Sequence, residues 1–442
     1  MEATLQEILD AREARVQTQK ELLSQYKKPL VCFTMNIPGP EKMSRNVAIG
    51  FGVGERLLKS ALGGQIVYAR SHMPHTGAEG YYVVDMDAKR LKQLTVDLEE
   101  IDPIGRLFDM DVLDADGRKI TREELGYPRR KCLLCDNDAA VCASRRAHPL
   151  QQLQHQTGFL LYVAARQWMC EYIASRAYLA LTQEVSTTPK PGLVDRNNAG
   201  AHRDMTPRHF FASATALRPY FARFAEQGFL TRDDASAATF AAIRPLGMEA
   251  EQAMLKATGG VNTHKGAIFS LGILCAAAGR LGPEGWNADA LLEECAAMAK
   301  GLVEKDFAGV TEETAKTAGE QLFVKYGITG VRGQAEQGFP AVKEIGLPVL
   351  ERALKEGLSL NDAGCAALLH LIVTAEDTNL IKRGGLEKAK EVQSQISDLL
   401  KKTPFPSKEA LLDLDKQFIE NNLSPGGTAD LLAITYFLYF LR

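Results

Sequence analysis

The sequence predicts a multidomain protein, a small α+β domain over residues 1–155 followed by a larger all-helical domain over residues 156–442. Length is the first observation: 442 residues exceed what one ordinary core sustains, so two or three domains are expected. The second is a change of patterning. Up to about residue 150 short β-branched or aromatic runs mix with helical spacing, and from about residue 156 long Ala- and Leu-rich segments of helical period take over. The third is the stretch RRAHPLQQLQHQTG at the changeover, where Pro and polar residues mark a linker.

Composition narrows the function classes. Hydrophobic residues at 45%, charged residues at 24% and a net charge of −3 describe an ordinary globular chain without the basic excess of a nucleic-acid binder. The opening MEATLQEILDAREARVQTQKELL reads as a polar amphipathic helix and lacks the apolar core of a signal peptide. No apolar run reaches bilayer length, since the C-terminal ADLLAITYFLYFLR is too short and reads as a buried helix. A cytoplasmic protein with no membrane partner is expected, its eight cysteines reduced or bound to metal.

In the first half, LVCFTMNIPGP, GQIVYARSH, EGYYVVDMD and RLFDMDVLDADG are strands closed by Gly, Pro or Asp. Two of them carry Asp-x-Asp pairs, Asp85 with Asp87 and Asp109 with Asp111. Residues two apart on a strand face one side, so each pair can hold a metal, although such a pair also serves as a plain strand end or turn. Lys42 and Arg45 precede a Gly-containing segment compatible with phosphate. Cys132, Cys135, Cys142 and His148 are spaced C-x2-C-x6-C-x5-H, which suits structural zinc or reduced cysteines with no metal.

In the second half, helices are expected at GFLLYVAARQWMCEYIASRAYLALTQE, AIFSLGILCAAAGRL, ADALLEECAAMAKGLVE, AGCAALLHLIVTAE and the last fourteen residues. Four loops between them concentrate polar chemistry. VSTTPKPGLVDRNNAGAHRDM supplies Lys190, Asp195, Asn198, His202 and Asp204. TGGVNTHKGAIF offers Asn262 or Thr263 as a helix cap ahead of His264 and Lys265. AEDTNLIKRGG holds Asp377, Asn379, Lys382 and Arg383. NNLSPGGTADLL places Ser424 as an N-cap, Pro425 first in a helix, and Gly426 and Gly427 with open backbone. Two of these loops are glycine-containing helix N-termini suited to an anion, neither of them a Walker loop. Asp195, Asp204, Asp377 and Asp430 supply the oxygens that Mg²⁺ prefers. Caps and turns account for single loops, and His370 reads as a satisfied core histidine; the four together favour a magnesium–phosphate site.

STTPKPGLVDRNNAGAHRDM, GGVNTHKGAIFSLGIL, GITGVRGQAEQGFPAV and LSPGGTADLLAITYFL resemble the signature segments of the triphosphoribosyl-dephospho-CoA synthase family. That resemblance implies ATP and 3'-dephospho-CoA as substrates: a ribose hydroxyl attacks the anomeric carbon of ATP and adenine leaves. On that reading Asp195, His202 and Asp204 are catalytic, Asp377 and Asp430 join them in metal or base duty, and Lys190, Asn198, Asn262, His264, Lys265, Asn379, Ser424, Gly426 and Gly427 bind substrate. NIPGPEK, GRLFDMDVLDADGRKITREELGYPRRKCLLC and VCASRRAH resemble the apo-citrate lyase phosphoribosyl-dephospho-CoA transferase family. This second resemblance implies a nucleotidyltransferase-like site with Asp109 and Asp111 on the metal, and transfer to a serine of the citrate lyase acyl carrier protein, its gamma subunit. Two other readings use the same residues: a magnesium-dependent hydrolase of ADP-ribose-like N-glycosides, and a non-catalytic adaptor for a carrier protein or CoA-like ligand.

Overall fold

The computed structural model describes residues 2–101 and 103–442, and the chain forms two compact units that part between Trp168 and Met169. The first unit opens with α1 (Leu5–Tyr26), started by a capping box in which Thr4 and Glu7 satisfy each other's amides. Five strands follow, β1 (Leu30–Met35), β2 (Ile66–His72), β3 (Glu79–Val84), β4 (Phe108–Leu113) and β5 (Lys119–Ile120). They form one sheet in the order β2-β3-β1-β4-β5, antiparallel at every pairing. The first four occupy the four expected runs. The fifth, two residues long, is too short to display alternation.

Alternation along β1 divides the core. Val31 and Phe33 face α2 (Arg45–Leu62) and α3 (Ala88–Glu99), joining Phe51, Leu58, Leu91, Phe108, Met110 and Val112. Leu30 and Cys32 face the other way and pack with Tyr81, Val83 and the α1 residues Leu22 and Leu23. Phe33 stacks on Phe51 with ring centroids 4.6 Å apart, and each such fully buried ring contributes roughly 1.5–3 kcal/mol.

The stretch expected to be a linker is helical. Leu150–Ser186 is one helix of 37 residues, with Pro149 immediately before it, where proline costs nothing. Its early glutamines are polar because they are exposed positions of a helix. Leu160, Leu161 and Ala164 are buried in the core of the first unit, which carries that unit past the expected boundary at residue 155.

The second unit is mostly helical. ADALLEECAAMAKGLVE was expected as one helix and is two, Ala288–Ala299 and Leu302–Phe307, because Gly301 adopts a left-handed conformation between them. The helix Lys265–Leu281 is buried without a break from Ile268 to Gly279 except at Phe269, as a central helix should be. It lies directly on the backbone of Pro207–Leu230: a Cβ on Gly228 would sit 1.9 Å from the Ala276 carbonyl oxygen, and one on Gly279 would sit 2.0 Å from that of Ala225. This close approach brings Ser213 of one helix against His264 at the start of the other.

Gly279→Ala should force these helices apart and cost about 1–3 kcal/mol, as overpacking of a tight core does. Urea denaturation monitored through the helical signal should show a lower midpoint with an unchanged slope.

Candidate functional site

Three helix N-termini, those of Lys265–Leu281, Thr378–Lys402 and Gly426–Leu441, border one cavity of about 580 Å³ in the second unit. Exposed N–H groups and the positive ends of three helix dipoles favour an anion there. Two carboxylates tie these ends together. Oδ1 of Asp377 accepts from the amides of Asn379 and Leu380 at 2.9 and 3.0 Å, and Oδ2 accepts from the amide and hydroxyl of Thr428 at 2.6 and 2.8 Å. One aspartate therefore caps two helices. Asp430 accepts from the Ala267 amide in the first turn of the third.

Glycines permit this convergence. A Cβ on Gly427 would press on the Asp377 carboxylate at 3.2 Å, one on Gly426 would meet the Asn379 amide at 2.9 Å, and one on Gly266 would lie 1.9 Å from Oδ2 of Asp430. The cap expected from Ser424 is therefore made by Asp377. The helix begins at Gly426 with no side-chain bond from the residue before it, and Ser424 instead meets His202, Oγ to Nε2 at 2.8 Å.

The loop with the densest polar residues turns mostly inward. Asp195 is buried and accepts four hydrogen bonds, from the amides of Lys190, Asn197 and Asn198 and the hydroxyl of Thr188. A carboxylate has about four acceptor sites. Asp195 and Asp377 thus leave none for a metal, and the metal duty expected of both gives way to holding backbone. Lys190, expected on phosphate, is buried with its ammonium paired to Glu184. Asn198, expected on substrate, donates to Asp415 at 2.6 Å and accepts from the Gly200 amide. Asp415 also receives the Gly192 amide at 2.9 Å. Gly192 sits at φ +69° where a side chain would strike the Leu423 carbonyl, so only glycine fits.

His202 and Asp204 do reach the cavity. The Arg383 guanidinium donates to His202 Nδ1 at 3.1 Å. Arginine is never an acceptor, so Nε2 carries the imidazole proton and donates to Ser424. Burial and Arg383 hold His202 below the usual histidine range, against the pull of Asp204; the imidazole is neutral and locked in one tautomer. Burial and the Glu184 and Asp377 carboxylates push Asp430 well above the usual carboxylate range.

Around the same cavity four buried polar atoms have no partner: Thr263 Oγ1, His264 Nε2, Ser270 Oγ and Gln334 Oε1. His264, expected on phosphate, is not a cation there. It is buried, its Nδ1 is 2.7 Å from Ser213 Oγ, and burial followed by the charge of Lys190 lowers its pKa to about 3. Lys265 stands at the rim with its ammonium 2.6 Å from Glu251; the N-cap position, expected at Asn262 or Thr263, falls on His264, which makes no side-chain cap bond, and Asn262 Oδ1 accepts the Lys265 amide from two residues further back. Asn379, Lys382 and Arg383 complete the polar lining. His370 lies elsewhere, its Nε2 donating to the Pro404 carbonyl at 3.1 Å.

In the first unit Phe108, Met110 and Val112 point into the core, so Asp109 and Asp111 share the opposite face of β4. Thr34 pairs with Asp109 on one side and Glu79 on the other, which adds a third carboxylate to that face. Surrounding protein and then Asp111 push the Asp109 carboxyl up, although the residue remains open to solvent. Asp111 is held by Lys119 at 2.6 Å. Glu79 is buried against Arg15 and the Tyr81 hydroxyl. Of the two other cations expected there, Lys42 donates to the Ile37 carbonyl and Arg45 begins α2. The Asp85–Asp87 pair lies beyond its strand: Asp85 binds Lys28 and Asp87 caps α3.

Sequence reasoning passed over Glu79, Glu184, Ser213, Ser270, Gln334 and Asp415. Gln334 lies inside the segment GITGVRGQAEQGFPAV and Ser270 inside GGVNTHKGAIFSLGIL, but nothing in their neighbours singles them out. The others sit in strands or helices whose patterning is ordinary.

Comparison with known proteins gives the same division of the chain. Residues 170–442 match the family described as ATP:dephospho-CoA triphosphoribosyl transferase, and residues 3–161 match the family described as apo-citrate lyase phosphoribosyl-dephospho-CoA transferase. The chain is 37% identical to Protein CitXG of Haemophilus influenzae, over 99% of its own length and 96% of the relative's. It is 35% identical to Protein CitXG of Leuconostoc mesenteroides subsp. cremoris, over 98% and 96%. A 2-(5''-triphosphoribosyl)-3'-dephosphocoenzyme-A synthase of Pectobacterium atrosepticum is 42% identical over 64% of this chain and 96% of its own.

Two outcomes follow from the hydrogen bonding. Asp377→Ala strips four donors of their acceptor and should cost more than about 3 kcal/mol, since each buried unsatisfied group costs roughly 1–3 kcal/mol. Asp204→Ala, at an exposed position, should stay within about 0.5 kcal/mol of the parent. Guanidinium unfolding of both variants reads the contrast. For His264 the folded chain resists protonation until about pH 3, whereas the unfolded chain takes the proton near the ordinary value of about 6.5. Its contribution is whole above about 6.5, is lost as pH falls, and is gone near 3. His264→Gln should therefore flatten the decline of unfolding free energy between pH 6.5 and 4; an unaltered slope would remove the histidine from that account.

Proposed function

The chain belongs to the ATP:dephospho-CoA triphosphoribosyl transferase family, joined in one polypeptide to the apo-citrate lyase phosphoribosyl-dephospho-CoA transferase family, and from that premise we propose how its two units divide the work. The chain is a bifunctional transferase that synthesises and attaches the citrate lyase prosthetic group. In our reading the second unit joins ATP to 3'-dephospho-CoA. The new bond runs from a dephospho-CoA ribose hydroxyl to the anomeric carbon of the ATP ribose. The bond to adenine breaks, the hydroxyl proton is removed, and adenine leaves protonated.

The observation that carries this reading is the ring of four unpartnered buried polar atoms, Thr263 Oγ1, His264 Nε2, Ser270 Oγ and Gln334 Oε1, around a cavity bordered by three helix N-termini. Buried polar groups without partners are costly, and the hydroxyls and ring nitrogens of a nucleoside are the kind of group that would satisfy these. The helix ends, Lys265, Lys382 and Arg383 then face the triphosphate. Cleavage of the glycosidic bond builds positive charge on the ribose, as in glycoside hydrolysis. Asp430, whose carboxyl is pushed well above the usual carboxylate range, is assigned to give its proton to the leaving adenine and then, as the carboxylate, to take the hydroxyl proton. His202, oriented by Arg383, sets Ser424 with its hydroxyl proton free to reach the substrate.

A divalent ion fits this set only in part. Asp195 and Asp377 have no acceptor site left, so the carboxylates open to Mg²⁺ are Asp204, Glu376 and Asp430. One or two carboxylates with phosphate oxygens and water suffice for Mg²⁺, which when bound neutralises phosphate charge.

The first unit is assigned the attachment step on a nucleotidyltransferase-like site. A serine oxygen of the acyl carrier protein bonds to the phosphorus that bears the ribose, the bond to pyrophosphate breaks, and the serine proton passes to a base. Asp109 suits the base, with Asp111 beside it, and Lys42 and Arg45 are assigned to the phosphates. Joining the units raises the local supply of the intermediate without requiring a sealed channel.

The test uses the full chain with ATP, Mg²⁺ and 3'-dephospho-CoA, followed by free adenine and product mass. Adenine should appear only with dephospho-CoA, and Asp430→Asn should lower its rate by about 100-fold or more. Asp109→Asn should leave adenine release intact and stop labelling of the acyl carrier protein. Adenine release without dephospho-CoA would replace this reading with a hydrolase.

A further inference from the structure

The cysteines of the first unit lie outside both proposed reactions. Between Gly126 and Pro149 only Cys132 and Cys142 are buried. That stretch has one helix of six residues, Ala139–Ser144, and a single bridge between Lys131 and Asp138. A segment so poor in apolar burial has little of its own to fix one conformation. Yet Cys132 Sγ, Cys135 Sγ, Cys142 Sγ and a ring nitrogen of His148 all fall within 4.8 Å of one another.

We infer that Cys132, Cys135, Cys142 and His148 bind one zinc ion as a closed tetrahedral structural site. With Zn–S near 2.3 Å and Zn–N near 2.0–2.1 Å, tetrahedral donors stand roughly 3.8 Å apart for two sulfurs and roughly 3.5 Å apart for sulfur and nitrogen. Cys135 Sγ lies 3.7 Å from Cys142 Sγ and 3.3 Å from His148 Nε2. The amides of Leu134 and Cys135 donate to the Cys132 sulfur, an outer layer of the kind that steadies a thiolate on a metal. Three thiolates and a neutral imidazole leave no open position, so the ion shapes the protein and does not meet substrate.

What it shapes is the edge of the attachment site. The Cys132 amide donates to the Asn137 carbonyl and the Ala139 amide to that of Arg130, closing a small loop. Arg106 donates to the carbonyls of Lys131 and Cys132. Arg130, two residues before the first cysteine, donates to the Phe108 carbonyl beside Asp109 and pairs with Glu99 at 3.3 Å. A cavity of about 670 Å³ lies against this loop, lined by Arg106, Arg130 and Arg146.

Zinc content of the purified full chain, grown with added zinc and dialysed against EDTA, is the measurement. One zinc per chain is expected, and Cys135→Ser or His148→Ala should reduce it at least tenfold. Cobalt in place of zinc should give the visible ligand-field bands of a tetrahedral thiolate site. Adenine release, assigned to the second unit, should be the same in these variants and the parent, and an unchanged urea midpoint for the sheet-bearing first unit on adding EDTA to the parent would count against a structural ion. The proposal fails if the wild-type chain holds less than a tenth of an equivalent of zinc while Cys132, Cys135 and Cys142 react freely with a thiol reagent. It fails equally if mass spectrometry finds those cysteines joined as a disulfide. Neither result would touch the assignment of the two reactions.

Discussion

The second unit depends on one carboxylate. Asp377 accepts four hydrogen bonds from the starts of two helices, and so fixes where those starts lie relative to each other. Helix dipoles with like ends together repel, and an anion between them offsets that repulsion. Asp377 places a carboxyl oxygen against each of two helix starts, and Asp430 accepts from the Ala267 amide of the third. The cavity is the space left between helix starts drawn together in this way, and the glycines at 266, 426 and 427 are small because carboxylates and an amide occupy the room a side chain would need.

This arrangement separates two duties that look alike on paper. Asp195 and Asp377 are filled by backbone and hydroxyl donors and act through the geometry they impose. Asp430 and Asp204 keep acceptor capacity toward the cavity. The histidines divide in the same way: His202 has both ring nitrogens engaged, by Arg383 and Ser424, while His264 has one nitrogen unclaimed. Hydrogen bonds that are already made within the protein hold these groups in one arrangement.

Much of the fold was legible because periodicity is a direct image of burial. The four runs of β1 to β4 and the major helices were readable from alternation and from helical spacing. Leu150–Ser186 was misread at its start because an exposed helical face written QQLQHQ has the composition of a linker. In the site, the four loops were found because polar residues with Gly and Pro are conspicuous between apolar helices. Their roles were not, since a sequence records that Asp195 and Lys190 are polar and not that a neighbouring helix or strand has already satisfied them. Gln334 and Ser270 were invisible for the opposite reason: a polar residue in a helix is unremarkable until the structure reveals a buried oxygen on it with no hydrogen-bond partner.

The long helix also governs how the chain can be divided. Leu160, Leu161 and Ala164 belong to the hydrophobic core beneath the sheet, though they follow the point where the sequence changes character. A fragment ended at residue 155 would leave that core uncovered and present an apolar surface to its neighbours. Laboratory dissection of the two activities has its natural joint about three and a half turns beyond the visible change of composition, between Trp168 and Met169, inside a helix and not in a loop.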